Sequence, residues 1–133
     1  MSADNVAIIR KLYAAFAVGD VPGVLGAMSP SIVWNEAENF PYADGNPYTG
    51  PEAVANGVFM RCGTEWDGFT VTVEEILDAG DTVVALGRYS GVYKTTSKPM
   101  NAQLAHVWRI KDGKIAQFQQ YTDTAQAQRV TTA

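Results

Sequence analysis

Met100 to Ile110 (MNAQLAHVWRI), Lys111-Asp112-Gly113-Lys114, and Ile115 to Asp123 (IAQFQQYTD) make up the stretch on which the fold turns. Two apolar and aromatic runs flank an Asp-Gly pair, the pattern of antiparallel strands joined by a tight turn. Side chains alternate along a strand, so His106 shares a face with Leu104 and Trp108, while Ala105, Val107 and Arg109 share the other. A slip of one residue would exchange the two faces. The favoured reading puts His106 inside.

Upstream the chain continues as strands. Phe69, Val71 and Val73 alternate with Thr70, Thr72 and Glu74. Ala79-Gly80-Asp81-Thr82 reads as a turn into a strand from Val83 to Tyr93, and residues 94–99 are a polar turn. Gly87 and Gly91 lie inside that strand, where glycine marks a bend. The first part is different. Val6, Ile9, Leu12, Tyr13 and Phe16 recur at helical spacing up to Gly19. Asp20 then caps a short helix carrying Val24, Leu25 and Met28, which Ser29-Pro30 stops. Ile32 to Glu36 is a short strand, Ala37 to Gly50 a long polar loop, and Pro51 opens a helix holding Val54, Val58 and Phe59. Helices first and a meander afterwards predict an α+β fold. In it a curved antiparallel sheet carries the N-terminal helices on its concave face, a cone with an internal pocket. The 133 residues suit one domain, 1–133, with residues 124–133 a polar, flexible tail.

Composition narrows the function. Fourteen acidic against ten basic residues leave a net charge of −4. That argues against nucleic acid as a partner and against docking on an anionic membrane. Cys62 is the one cysteine and His106 the one histidine, so neither a disulfide framework nor a zinc site of Cys/His type is available. No loop is dense in hard-cation ligands, and the expectation is a protein without metal or cofactor. No apolar run approaches membrane-spanning length, and a cytoplasmic protein is expected.

Several strings, in order, carry a family resemblance. They are Tyr13-Ala14-Ala15-Phe16-Ala17-Val18-Gly19-Asp20, Ile32-Val33-Trp34, Tyr48-Thr49-Gly50-Pro51-Glu52-Ala53-Val54, the run from His106 to Ile115, and Tyr121-Thr122-Asp123. Together the chain resembles the SnoaL-like branch of the nuclear transport factor 2-like superfamily. The resemblance implies an α+β cone, usually dimeric. Its members include ketosteroid isomerases, polyketide cyclases and limonene epoxide hydrolases, so the fold alone leaves the reaction open.

Carried over residue by residue, the resemblance puts Glu36 where the isomerases keep a carboxylate base. Their two acidic oxyanion donors fall on Leu12 and Ala105, which cannot donate. Asp123 falls on one carboxylate of the epoxide hydrolase site, whose other positions fall on Gly87 and Tyr89. In SnoaL-like cyclases the strand bearing His106 commonly holds an acid/base residue. The candidate catalytic set is therefore Glu36, His106 and Asp123, with Glu36 orienting the imidazole and Asp123 completing a polar cluster. Each has a plain alternative: a structural histidine, a solvated strand-end carboxylate, and a turn-forming aspartate. Trp34, Tyr13, Tyr89, Tyr121 and Gln119 are candidate ligand contacts, Trp34 because it shares the face of Glu36. The expected function is that of a small-molecule pocket protein acting as a cofactor-independent proton-transfer enzyme (isomerase-, cyclase- or hydratase-like) on a small hydrophobic carbonyl compound. The alternatives are a non-catalytic binder of such a molecule and a dimeric interaction module of the same fold, and a homodimer is expected.

Overall fold

The computed structural model describes residues 2–133. Helix α1 spans Ser2–Ala17 and buries Ile9 and Leu12, with Val6, Tyr13 and Phe16 half-buried on the same stripe. It ends ahead of Gly19, whose φ of +73° is a left-handed conformation that glycine takes without steric penalty. Asp20 caps α2 (Val21–Gly26) by accepting a hydrogen bond from the Gly23 amide at 3.0 Å.

Strand β1 runs Met28–Asn35, so it begins four residues before the expected start at Ile32. Met28 and Ser29-Pro30 therefore belong to the strand, not to a helix end. Proline is tolerated because the pairing of β1 shifts register between Met28 and Val33, where no ladder bond depends on its missing N–H. Part of the predicted loop is ordered as a 3-10 turn, Pro41–Gly45, followed by the two-residue β2 (Tyr48–Thr49). Next come α3 (Pro51–Val54), a π-turn over Ala55–Phe59 and α4 (Met60–Glu65).

Four long strands complete the sheet: β3 (Trp66–Ala79), β4 (Thr82–Tyr93), β5 (Lys98–Lys111) and β6 (Lys114–Thr122). The order is β2-β1-β6-β5-β4-β3, curved but not closed into a barrel. Every pairing is antiparallel except β1 with β6, which is parallel. At Gly87, where a bend is expected, the backbones of β3 and β4 approach closely and the ladder is irregular. A Cβ there would lie 2.0 Å from the Thr72 carbonyl oxygen, and the β3–β4 register shifts between Val73 and Glu75.

Most of the segment read from sequence as a polar tail, residues 124–131, folds into a helix. Thr124–Thr131 form α5, which buries Ala127 and Val130. Thr96 Oγ1 donates to the Val130 carbonyl, and Gln126 Oε1 accepts from the Asn101 amide. The eight-residue segment is polar on the whole, but its two buried side chains stand three apart and so share one face.

The core is a single cluster in which Ile9 and Leu12 of α1 meet Ile32, Trp34, Trp108 and Phe118 of the sheet. Trp34 stacks on Phe118 with ring centroids 3.8 Å apart, and Trp108 lies 4.5 Å from the same ring. This aromatic wall forms the floor of a cavity. Among the described residues, no helix is long and apolar enough to cross a membrane.

Candidate functional site

The interior cavity, of about 50 Å³, lies between α1, the α3–α4 segment and the sheet. Aromatic and aliphatic side chains make most of its wall, and Tyr13, Glu36, Tyr89, His106 and Gln120 bring polar groups into it. A second hollow of about 340 Å³ lies against it and shares Phe16, Val24, Phe59, Cys62 and Phe69 as lining. Phe16 and Phe59, edge to face at 5.7 Å, stand on the boundary between the two. An apolar cavity of about 150 Å³ holds benzene, and the inner space is about a third of that volume.

Glu36 follows directly on β1, and its side chain continues the inward face of Ile32 and Trp34. It is 3% exposed. Trp34 Nε1 donates to Glu36 Oε2 at 3.0 Å. Burial pushes the carboxyl up to about 7, against the smaller lowering effects of the Trp34 hydrogen bond and the Arg61 charge. Its backbone is pinned by one side chain: the Glu36 amide donates to Asn46 Oδ1 at 2.9 Å, and Asn46 Nδ2 donates to the Glu36 carbonyl at 2.8 Å. The next amide, that of Ala37, donates to Gln120 Oε1 at 3.0 Å. A carboxyl with a pKa near neutrality, rigidly held in an aromatic cavity, is a group that can take and return a proton at ordinary pH.

His106 faces inward with Leu104 and Trp108, all three buried. Its Nδ1 lies 2.6 Å from the Tyr13 hydroxyl, and its Nε2 lies 2.6 Å from the Tyr89 hydroxyl. Trp108 Nε1 donates to the Tyr13 oxygen at 2.9 Å, and Gln120 Nε2 donates to the Tyr89 oxygen at 2.8 Å. Burial drives the imidazole down to about 3 and raises both phenols. At neutral pH the imidazole is uncharged and both tyrosines keep their protons. The Cys62 thiol, also on the wall, is pushed up by burial and by the Glu36 charge, and so stays a protonated thiol.

Glu36, Trp34, Tyr13, Tyr89 and His106 thus share one cavity, but the contacts among them differ from the expectation. Glu36 does not orient the imidazole: its partner is Trp34, and the two ring nitrogens of His106 are taken by phenols. Asp123 does not join the cluster. It caps α5, accepting from the Gln126 amide at 3.1 Å, and that hydrogen bond is the main reason its carboxyl lies below the usual range. Tyr121 is 56% exposed on the other side of the sheet, and Gln119 lies on that same outer side. The glutamine that enters the cavity is Gln120, buried at 2%. A signal for it existed, because Gln120 stands two residues after Phe118 and so shares its face. Trp108, which alternation puts on the face of His106, adds a polar contact of its own, its indole N–H donating to Tyr13. Tyr13 itself follows the oxyanion-donor position that falls on Leu12, and its hydroxyl still lies inside, against His106 and Trp108.

The fold is a small α+β domain whose curved, open sheet and N-terminal helices enclose a carboxyl and two phenols among aromatic side chains. The pattern of the SnoaL-like domain matches residues 9–118, and the chain belongs to that family. An NTF2-like protein from Burkholderia thailandensis is 38% identical, with a TM-score of 0.91 and 96% of each chain covered. An NTF2-like protein from Burkholderia pseudomallei is 27% identical, with a TM-score of 0.88 and 98% of each chain covered. IdmH from Streptomyces antibioticus, a proposed polyketide cyclase, has the same fold at 22% identity, with a TM-score of 0.75, 93% of this chain and 95% of that chain covered. No curated protein matches the sequence.

Proposed function

We propose that this protein binds a small, mostly apolar carbonyl compound and moves a proton on the carbon beside the carbonyl, with Glu36 as the base. One observation carries the reading: a carboxyl with a pKa of about 7, held by Trp34 on a single oxygen, in the same cavity as two protonated phenols. Glu36 Oε1 has no hydrogen-bond partner among the described residues, so it is the oxygen available to the ligand. The base takes the proton, the carbonyl oxygen gains charge, and a phenol answers that charge by donating a hydrogen bond. Redelivery at another carbon gives isomerisation, and attack by the carbanion on a second carbonyl gives cyclisation. The test is exchange of the α-protons of small cyclic ketones for deuterium. Native protein should accelerate it and Glu36→Gln should not. Equal exchange in both would overturn the assignment of the base.

A second reading, binding without turnover, is favoured by the narrowness of the inner cavity, which admits a functional group more readily than a whole ring. It predicts ligand affinity with no exchange. Both readings suit a homodimer joined through the outer sheet face, where Val33, Val107 and the exposed Tyr121 lie together. Light scattering of the purified chain would show a single-chain mass if that proposal fails. A lone buried thiol suits the cytoplasm, which we propose as the compartment.

A further inference from the structure

The hydrogen bonds around His106 contain one donor too many. Trp108 can only donate, so its indole N–H occupies one lone pair of the Tyr13 oxygen. Gln120 is fixed at its other end, because its Oε1 accepts from the Ala37 amide, and its Nε2 must therefore donate to the Tyr89 oxygen. Each phenol then has one proton and one free lone pair with which to meet the imidazole. A neutral imidazole has one N–H and one bare nitrogen.

Only two arrangements satisfy both short contacts. If Nε2 carries the proton, it donates to Tyr89, and Tyr13 donates to the bare Nδ1. The Tyr89 oxygen then accepts twice and its own O–H has no acceptor. If Nδ1 carries the proton, the pattern reverses and the Tyr13 O–H has none. Neither hydroxyl has another protein acceptor within hydrogen-bond distance among the described residues. Both rings line the cavity, and Tyr89 is only 4% exposed. A buried donor without an acceptor is unfavourable, and a bound acceptor recovers that loss.

We infer that His106 is a positioning residue that always releases one phenolic proton, from Tyr13 or Tyr89, toward the cavity, and that the ligand meets it with an acceptor-only oxygen, a ketone carbonyl or its enolate. The inference rests on the proposed function for the ligand class but does not need turnover. It also supplies the oxyanion donor missing at Leu12 and Ala105. The two tautomers place the donor on opposite sides of the imidazole, so ligand binding selects one of them.

The experiment uses the full chain with cyclohexanone, carbonyl-labelled with carbon-13, and its hydrocarbon isostere methylenecyclohexane. The ketone should bind about tenfold more tightly than the isostere once their difference in water solubility is subtracted. Its carbonyl resonance should move downfield relative to apolar solvent. The two ring nitrogens of the single histidine should change from an averaged pair of nitrogen-15 shifts to one protonated and one bare nitrogen. Of Tyr13→Phe and Tyr89→Phe, one should lose the carbonyl shift and the double variant should lose it entirely. Equal affinity for ketone and isostere, or an unmoved carbonyl resonance in native protein, overturns the inference even if no variant folds. If Glu36→Gln keeps the carbonyl shift and native protein shows no exchange, the base assignment fails and the hydrogen-bond inference stands.

Discussion

Trp34 Nε1 and Glu36 Oε2 are joined at 3.0 Å by side chains two residues apart on one inward-facing edge of the chain. The pair takes up one carboxylate oxygen within the protein and leaves the other for the cavity. Because Glu36 is the one buried acidic side chain among the described residues, its ionisation is coupled to stability.

Its carboxyl is raised from 4.5 to about 7 in the folded protein. Between those values the folded state holds a proton that the unfolded state has released. Stability contributed by the protonated carboxyl is complete below about pH 4.5 and is lost as the pH rises through 7. Glu36→Gln keeps the acceptor for Trp34 and removes the charge. It should therefore stabilise the protein by about 3 kcal/mol near pH 8 and by almost nothing below the unfolded-state pKa. Denaturant unfolding at the two pH values measures the difference, and an equal effect at both would contradict a buried, titrating carboxyl.

His106 runs the other way. Its pKa falls from 6.5 to about 3, so between those values only the unfolded state takes up a proton. The stability it contributes is present above 6.5 and is lost as the pH falls toward 3. In the native protein the two groups oppose each other across much of the acidic range. In Glu36→Gln the histidine acts alone, and stability should fall steadily on acidification. Proton NMR of the single imidazole should show no titration between pH 5 and 8; a midpoint near the ordinary value would place the ring in water.

Asn46 holds the backbone of Glu36 by both its amide and its carbonyl. Asn46→Ala removes both bonds and should lower stability by about 1–3 kcal/mol. The carboxyl would then gain water, so its pKa should drop back toward 4.5. Carbon-13 titration of the glutamate carboxyls reads that shift directly. An unchanged midpoint would mean that the strand alone positions the group.

Helix α5 is docked by Ala127 and Val130. Val130→Ala should cost about 2 kcal/mol through the cavity it leaves. Amide exchange in residues 124–131 should quicken in step with it. A loss below 0.5 kcal/mol would mean that the helix contributes little to the core.

Much of the architecture was legible because it follows from period. The helical stripe from Val6 to Phe16, the alternation in β3 and the Asp112-Gly113 turn are local patterns that physical chemistry reads directly. The inward face of β5 was equally readable, since Trp108 and Leu104 have only one dry place to go. Asp123 and the segment behind it are ambiguous in the sequence for a reason. An aspartate beside a polar run fits a turn, a helix cap or an active site equally well, and burial of two side chains in α5 decides among them. Gln119 and Gln120 differ by one position and face opposite sides, a distinction fixed by the pairing of β6 with β5.

The sequence by itself determined the α+β order, the sharing of one strand face by Trp34 and Glu36, and the absence of any second histidine or cysteine. Those follow from alternation and counting. Tertiary structure decided which groups meet. Tyr13 and His106 are 93 residues apart, and His106 and Gln120 each approach Tyr89 from a different strand. Hydrogen bonds depend on tenths of an ångström, which no local pattern encodes; they are set when the curved sheet closes over α1.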